Sequence, residues 1–251
     1  MIKEGLLSPV FKNKGSRLDI KNYRGITVLP VFEKIVESIL KNRVKPKCDK
    51  QQCSIQRGFT QNSAPINSSF ILEELRQEAL DLKQLFIIIL LDAKSAFDVV
   101  VHQSMMRRLC HLGIQNKHWT LINNLHTSAS SAVKLNGLVS DIFEIQQGGR
   151  QGGILSADLY KIYVDPLLHR LKHSGLGMKI GHIQCAASAC ADAITINSTN
   201  LEEAQILLNM AYDYSCKEHY KLQPTKSVVI DMSNQKKERK QYTNSTATQW
   251  N

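Results

Sequence analysis

Leu85-Phe86-Ile87-Ile88-Ile89-Leu90-Leu91-Asp92 is the stretch of this 251-residue sequence that decides its fold. Seven consecutive apolar residues predict a strand buried on both faces, and they are too few to cross a bilayer. The run ends on a carboxylate, which places Asp92 at the rim of a sheet. One hundred residues later, Cys190-Ala191-Asp192-Ala193 interrupts a hairpin predicted over 180–197 and puts a second carboxylate at a tight turn. Two such carboxylates can share a divalent cation. The alternative is that Asp92 or Asp98 caps the following helix.

Two amphipathic helices are predicted before that strand. Pro30 opens the first, and its apolar stripe is expected to face the core. Ser63 is expected to cap the second, which runs to about Leu82 with its own apolar face. The stripe of the first helix consists of Phe32, Ile35, Val36, Ile39 and Leu40, and that of the second of Ile66, Phe70, Ile71 and Leu75.

Turn and cap signals organise the rest of the chain. Asn136-Gly137 predicts the turn of a hairpin over 132–145. A glycine-rich loop at 148–153 suits close approach to a ligand, although such loops are common. The other predicted elements are helices at 102–112, 116–127 and 156–171, a helix from a capping box at Thr199/Glu202 or Asn200/Glu203 to about His219, and a strand at 227–232. Strands and helices mixed without a regular βαβ repeat indicate an α+β fold with a largely antiparallel sheet.

Charge is unevenly distributed along the chain. The net charge is +10, and residues 1–50 carry twelve Lys/Arg against five Asp/Glu. Clustered positive charge favours a polyanionic partner, with nucleic acid ahead of an acidic membrane surface. The alternative is a basic surface that only keeps the protein soluble. No secretory signal or membrane span is recognisable, so we expect an intracellular protein of the nucleus or cytoplasm. The six cysteines contain no CxxC pair, which indicates reduced thiols rather than a zinc site.

Seven stretches of the chain, taken in order, resemble the reverse transcriptase domain of non-LTR (LINE-type) retrotransposons. Together they cover roughly residues 6–232. A single such motif has little specificity, whereas seven in the family's order are highly specific. The stretches are Pro9-Val10-Phe11-Lys12, Asn22-Tyr23-Arg24-Gly25-Ile26, Gln56-Arg57-Gly58-Phe59, Leu91-Asp92-Ala93-Lys94-Ser95-Ala96-Phe97-Asp98, Arg150-Gln151-Gly152-Gly153-Ile154-Leu155-Ser156, Ala189-Cys190-Ala191-Asp192-Ala193 and Leu222-Gln223-Pro224-Thr225-Lys226-Ser227.

The resemblance implies an architecture and a reaction. The fold would be a right-hand polymerase, with basic fingers at residues 1–84, a palm with some finger elements at 85–232, and a disordered polar tail at 233–251. The activity would be RNA-directed DNA polymerisation, a nucleotidyl transfer in which deoxynucleoside triphosphates (dNTPs) extend a DNA primer on an RNA template. No membrane partner is implied.

The resemblance also assigns site residues. Asp92 and Asp192 match the carboxylates that hold two Mg²⁺ ions, with Mn²⁺ as a possible substitute, and oxygen ligands suit such hard cations. Phe97 matches the aromatic residue that closes the pocket beneath the incoming sugar and disfavours a 2′-hydroxyl, whereas in an arbitrary protein it would be a core residue. Gln151 and Gly152 match the loop that positions the nucleotide and the template base.

Three basic residues receive roles of the same kind. Lys12 and Arg24 match finger residues that face the triphosphate, where an ammonium and a guanidinium suit phosphate oxygens. Ordinary solvated surface charge is the alternative, above all for Lys12. Lys226 matches a lysine proposed to protonate the pyrophosphate leaving group, and its alternative is an ordinary lysine at a strand edge.

The chain departs from the family pattern at three positions, Gly25, Ala157 and Ala193. The family usually has proline at the first two and a second aspartate at the third. Loss of that carboxylate predicts weaker cation binding and a rate loss on the order of 10³-fold, since about 1.36 kcal/mol is tenfold in rate. A thumb and an upstream endonuclease are also expected to be missing. We therefore expect an impaired reverse transcriptase, with a catalytically inactive nucleic-acid-binding remnant as the alternative.

Overall fold

The computed structural model describes residues 3–232, which fall into two compact units. The first unit contains residues 3–51 and 97–163, and the second contains residues 52–96 and 164–232. Assignment of 1–84 to fingers and 85–232 to a palm stays a prediction, and the predicted tail at 233–251 lies outside the described residues. None of the helices in residues 3–232 combines the length and apolar character needed to cross a bilayer.

Strands and helices are mixed along the chain, as expected for an α+β protein. A short 3₁₀ turn at Ile20–Asn22 joins the first two strands. In chain order the elements are β1 (Glu4–Phe11), β2 (Tyr23–Val28), α1 (Val31–Gln51), α2 (Pro65–Asp81), β3 (Ile87–Asp92), α3 (His102–His111), α4 (Asn116–His126), β4 (Ser130–Leu135), β5 (Leu138–Val139), β6 (Phe143–Glu144), α5 (Ser156–Lys172), β7 (Lys179–Ile180), β8 (Ile183–Gln184), β9 (Ala187–Cys190), β10 (Ala193–Ser198), α6 (Leu201–Lys217) and β11 (Val228–Asp231).

The second unit is built around the predicted apolar strand. Its four-stranded sheet has the order β11-β3-β10-β9, and every neighbouring pair is antiparallel. This confirms the expectation of a largely antiparallel sheet and of a buried strand within residues 85–91, of which 87–91 belong to β3. Leu75 and Ala79 of α2 pack with Phe86 and Ile88 in one core cluster, while α6 contacts β10 and β3. Both faces of β3 are therefore covered, and its polar end at Asp92 is left at the rim.

The first unit contains a mixed sheet in the order β2-β1-β4-β5, with β6 also paired to β4. The β1–β2 pair is antiparallel and the β1–β4 pair is parallel. Asn136 and Gly137 both have positive φ, 51° and 83°, and join β4 to β5. These angles suit a type I′ turn, so the predicted hairpin is confirmed.

The predicted inner face of α1 is wrong at three of its five residues, whereas Leu40 is buried as predicted and Val36 is half-buried. Phe32, Ile35 and Ile39 are exposed, with Phe32 at 59%, whereas Glu33 and Glu37 are buried at 0% and 4%. The reason is that both glutamates have polar partners within the first unit, described below, which offset the cost of burying them. Polar pairing therefore outweighs the apolar periodicity in orienting this helix.

The two cap predictions have different outcomes. Ser63 does not cap α2, because the N-cap is Ala64 and Pro65 follows at the first helical position. The predicted apolar face of α2 is confirmed at Leu75, which is buried, and at Ile71, which packs against the core, whereas Ile66 and Phe70 lie exposed. In α6 the second of the two capping alternatives is realised in part. The side chain of Asn200 accepts a hydrogen bond from the backbone N of Glu202 at 2.7 Å.

Candidate active site

Asp92 lies at the end of the central strand of the second unit. The five preceding strand residues belong to the sheet, while the Asp92 side chain is 22% exposed. The backbone on either side is fixed by the segment 221–227. The carbonyl of Asp92 accepts from the backbone N of Gln223 at 2.7 Å, and the backbone N of Lys94 donates to Lys221 O at 2.9 Å. The position of this carboxylate is therefore set by the sheet and by that segment together.

The second carboxylate comes from the hairpin between β9 and β10. Cys190 pairs with Ala193 across this hairpin, so Ala191 and Asp192 form its two-residue turn. Ala193 also lies directly opposite Asp92 in the β3–β10 register. Opposite residues of an antiparallel pair have Cβ atoms about 5 Å apart on the same face of the sheet. The turn thus carries Asp192 to the end of β3, as the sequence predicted.

The two carboxylates lie close enough for their charges to interact. Burial raises the pKa of Asp192, and the negative charge of Asp92 raises it further, while the ammonium of Lys226 opposes both. Lys226 itself reaches the site, with its Nζ 2.8 Å from Asp92 Oδ2. The structure therefore brings Asp92, Asp192 and Lys226 together, although their catalytic roles stay predictions.

The carboxylate oxygens of Asp92 and Asp192 are the type of ligand that a hard divalent cation prefers. Two carboxylates converge, and such cations accept carboxylate oxygens while keeping water or phosphate in their other positions. Within residues 3–232 no three His, Cys, Asp or Glu side chains cluster closely enough to form a metal site on their own. The methyl group of Ala193 stands where a third carboxylate would face Asp92.

In the first unit, Phe97 and the glycine-rich loop are joined by backbone contacts. The Phe97 ring stacks on Tyr160 of α5 with a centroid separation of 4.8 Å and an interplanar angle of 26°. The carbonyl of Phe97 accepts from the backbone N of Gly149 at 2.7 Å, and Gly148 N donates to Val100 O at 2.8 Å. One edge of the loop is therefore fixed to the segment that follows Asp92 in the sequence.

The other edge of the loop lies against β2. The carbonyl of Gln151 accepts from the backbone N of Thr27 at 2.6 Å. Gly152 has a φ of 121°, and a Cβ there would overlap the carbonyl oxygen of Thr27. Only glycine tolerates both conditions, which explains this residue at a predicted nucleotide-binding position.

Two glutamates of α1, for which no role was predicted, anchor this loop. The guanidinium of Arg150 pairs with the Glu33 carboxylate, with Nη1 3.2 Å from Oε2, and also donates to Leu125 O at 2.9 Å. Glu37 Oε2 accepts from the backbone N of Ile154 at 2.6 Å. Ser156 Oγ donates to Arg150 O at 2.7 Å. The loop is therefore anchored at its start, middle and end.

Lys12 and Arg24 lie on the β1–β2 hairpin of the first unit and are exposed. Arg24 is paired with Val10 in the register, and Lys12 Nζ donates to the carbonyl of Lys21 at 2.9 Å. Exposure leaves both side chains accessible to an anion, but lysines and arginines without any binding role are also exposed at protein surfaces. Their predicted contacts with a triphosphate stay predictions.

Comparison with known proteins identifies the family. The family model described as reverse transcriptase (RNA-dependent DNA polymerase) matches residues 11–243. A Pol polyprotein of the type-1 retrotransposable element R2 from Popillia japonica is 25% identical over 189 residues, covering 74% of this chain and 26% of that protein. The RNA-directed DNA polymerase of the mobile element jockey from Drosophila funebris is also 25% identical, covering 74% of this chain and 20% of that protein.

Solved structures agree on the fold. Apo telomerase from Candida tropicalis, truncated from its C-terminal domain, superposes with a TM-score of 0.66 at 13% identity, covering 92% of this chain and 50% of that one. Candida albicans telomerase in complex with a fragment of telomeric RNA gives 0.68 at 12% identity, covering 94% and 43%. The chain spans about a quarter or less of the length of the curated relatives described above. It belongs to the reverse transcriptase family, as a domain of the non-LTR retrotransposon type.

Proposed function

We propose that this chain carries out RNA-directed DNA synthesis, in which deoxynucleotides are added to the 3′ end of a DNA primer on an RNA template and pyrophosphate is released. The observation that carries the proposal is the convergence of Asp92, Asp192 and Lys226 at one end of an antiparallel sheet. Membership of the reverse transcriptase family supports it. In this proposal residues 85–232 include the palm and residues 1–84 the fingers.

Asp92 and Asp192 would hold the divalent cations, two Mg²⁺ ions by family, with Mn²⁺ able to replace them. When bound, such cations supply Lewis-acid stabilisation of charge on the transferring phosphate and ease deprotonation of the primer hydroxyl. The task of the two residues is to present ionised oxygens from fixed backbone. Asp92 does so from the end of β3, and Asp192 from a two-residue turn.

Lys226 would act at the leaving group. Its ammonium lies 2.8 Å from Asp92 Oδ2 and is 65% exposed, so it is both held near the carboxylates and open to a ligand. A lysine in that position can donate a proton to the departing pyrophosphate, which is general-acid catalysis. The competing role is that of a counter-ion which only compensates the charge of Asp92.

The remaining residues would bind the nucleotide. Phe97, held flat against Tyr160, would disfavour a ribose 2′-hydroxyl. Gln151 and Gly152 would position the nucleotide and template base through a loop anchored at both edges. Arg24 and Lys12 would contact phosphate oxygens, with Arg24 able to do so through two N–H groups. RNA binding by a telomerase of the same fold supports an RNA template here.

We also propose that activity is impaired in this chain, because Ala193 removes a carboxylate directly opposite Asp92. Residue 193 is exposed, so Ala193→Asp should fit without displacing core atoms. The added carboxylate would face Asp92 on the same side of the sheet. We expect restoration of primer extension on the order of 10³-fold, equivalent to about 4 kcal/mol of transition-state stabilisation.

The test is extension of oligo(dT) on poly(rA) with Mg²⁺ by the wild type, Ala193→Asp and Asp92→Asn. Asp92→Asn preserves size and the acceptor for Lys226 but removes the charge that a cation needs. The proposal predicts weak extension by the wild type, strong extension by Ala193→Asp and none by Asp92→Asn. Equal rates for the wild type and Ala193→Asp would contradict the impairment. Extension that survives Asp92→Asn would contradict the site.

A second function, nucleic-acid binding without catalysis, is favoured by the same methyl group at Ala193 and by the exposed basic hairpin. It predicts that RNA affinity survives Asp92→Asn and falls as the salt concentration rises. The fall is expected because protein binding releases cations from the RNA, and this release is less favourable at high salt. Absence of extension by both the wild type and Ala193→Asp, with salt-sensitive RNA binding intact, would select this function.

A further inference from the structure

The sequence motif Gln56-Arg57-Gly58-Phe59 has no role in the proposed function, yet it lies against the turn that carries Asp192. Within the second unit, the backbone N of Arg57 donates to Ala189 O at 2.7 Å, and Ala189 N donates to Ile55 O at 2.9 Å. Residues 55–57 therefore pair with β9 immediately before the turn. An isolated parallel bridge between Gln56 and Ala189 marks this pairing.

The Gln56 carboxamide makes three hydrogen bonds from a side chain that is only 1% exposed. Its Oε1 accepts from the backbone N of Ala191 at 2.9 Å and from Gly58 N at 2.8 Å. Its Nε2 donates to the carbonyl of Ala191 at 3.1 Å. Both backbone polar groups of one turn residue are thus bound by a single side chain.

Ala191 needs such support because of its backbone conformation. Its φ is 61°, in the left-handed region that residues with a Cβ seldom adopt. A strained conformation of this kind persists only where surrounding contacts enforce it. Because Asp192 follows directly, the direction of its carboxylate depends on the peptide planes of Ala191.

Close packing confines the turn from the same side. A Cβ added at Gly58 would overlap Ala191 N and lie 2.8 Å from Ala191 Cα and 2.9 Å from the carbonyl carbon of Cys190. The loop that presents Gln56 is itself held in place. Gln52 Nε2 donates to Thr60 Oγ1 at 2.8 Å, and Thr60 Oγ1 donates to Gln56 O at 3.0 Å.

We propose that Gln56 is a positioning residue, whose carboxamide holds Ala191 in the left-handed turn so that Asp192 faces Asp92. This inference rests on the proposed function and adds a residue to its site. The carboxamide is suited to the task because it offers a donor and an acceptor at one position. A glutamate would set a second acceptor against the Ala191 carbonyl, and an asparagine is one methylene shorter.

The experiment measures binding of Mn²⁺ by electron paramagnetic resonance together with amide hydrogen exchange of Ala191, in the wild type, Gln56→Met and Gln52→Met. Methionine has the length of glutamine but makes no comparable hydrogen bonds. Gln52→Met is the matched control, since Gln52 belongs to the same loop and bonds Thr60 and the Gln56 carbonyl rather than the turn. Outer partners that orient a metal ligand typically change affinity by about 10- to 100-fold.

We expect Gln56→Met to weaken Mn²⁺ binding about tenfold and to speed exchange of the Ala191 amide by a similar factor. Gln52→Met should change both by clearly less, because the backbone pairing of residues 55–57 with β9 still holds the loop. Equal effects of the two variants, or unchanged Mn²⁺ affinity in Gln56→Met, would overturn the proposal.

Asp92→Asn separates this inference from the proposed function. If Mn²⁺ affinity is unaffected by Asp92→Asn, the proposed metal site is wrong. Exchange of the Ala191 amide then decides the positioning role by itself. Acceleration in Gln56→Met alone would support that Gln56 holds the turn, and an unchanged rate would overturn it.

Discussion

Two segments that carry predicted site residues are held in place by different chemistry. In the first unit, the loop at 150–156 is anchored by carboxylates of α1, through a buried ion pair between Glu33 and Arg150 and through Glu37. In the second unit, the turn containing Ala191 and Asp192 is anchored by a neutral carboxamide, Gln56.

The difference has an energetic consequence. Removal of one partner from a buried ion pair leaves an uncompensated charge, which costs more than an unsatisfied neutral group. The charged anchors should therefore be the more sensitive to mutation and should respond to pH, whereas the carboxamide anchor should not. A neutral anchor also adds no net charge beside Asp92 and Asp192, where, without a bound cation, a further carboxylate would raise the cost of ionising them.

The largest expected effect is that of Glu33→Gln. The change leaves the guanidinium of Arg150, 7% exposed, without its counter-charge, and we expect a loss of about 3–5 kcal/mol in the free energy of unfolding. Urea denaturation measures it. The double change Glu33→Leu with Arg150→Met should recover most of the loss, since it removes both charges. Glu73→Gln in the exposed Glu73–Arg76 pair is the control and should leave stability unchanged. Equal stability of Glu33→Gln and this control would contradict the role of the ion pair.

A smaller loss is expected from Gly58→Ala, which forces a Cβ into the backbone of Ala191. Overpacking of this kind costs about 1–3 kcal/mol. Gly149→Ala is the matched control in the glycine-rich loop of the first unit. A Cβ added there would lie 3.9 Å from its nearest neighbour, a ring carbon of Phe97, and so would not overlap it. Neither glycine has a positive φ, so thermal unfolding compares packing alone. A tolerated Gly58→Ala would show that the turn is not tightly confined.

Glu37→Leu should cost less again, about 1–2 kcal/mol, because it removes the acceptor for Ile154 N but leaves no unpaired charge. Glu37→Gln keeps an oxygen in place and should recover at least half of that loss. Chemical denaturation of the two variants decides the point. If both lose the same amount, the negative charge rather than the hydrogen bond holds the loop.

The smallest effect is a pH dependence that only the charged region should show. Burial raises the pKa of Glu37 above its ordinary value of 4.5, against the opposing effects of the Ile154 hydrogen bond and Arg150. The folded state therefore retains this proton to higher pH than the unfolded state. The contribution of Glu37 to stability consequently falls as the pH rises through 4.5 and the raised value, and it is constant above both.

The stability of the wild type relative to Glu37→Gln should therefore decrease between about pH 4 and pH 7. The difference between the wild type and Gln56→Met should stay constant over that range, because the carboxamide does not titrate. Unfolding titrations at the two pH values test both statements. A relative stability of the wild type that instead rose with pH would contradict the sign of the shift.

The same two regions show what a sequence can reveal. The apolar run ending at Asp92 and the turn at Asp192 were predictable because strand burial and hairpin turns leave local patterns. The orientation of α1 was predicted wrongly, because a periodic apolar stripe was assumed to be the buried one. Glu33 lies 117 positions from Arg150, and Gln56 lies 135 positions from Ala191. No local pattern reports pairs so distant, so these anchors emerge only from the folded structure.

The position opposite Asp92 tests the central claim most directly. The measurement is the ratio of initial rates of dTTP incorporation on poly(rA)/oligo(dT) for Ala193→Asp and the wild type, at one Mg²⁺ concentration and equal fractions of folded protein. If loss of one carboxylate impairs this reverse transcriptase, the ratio should be on the order of 10³. Adding Asp92→Asn to Ala193→Asp should abolish incorporation. A ratio near one would contradict the account.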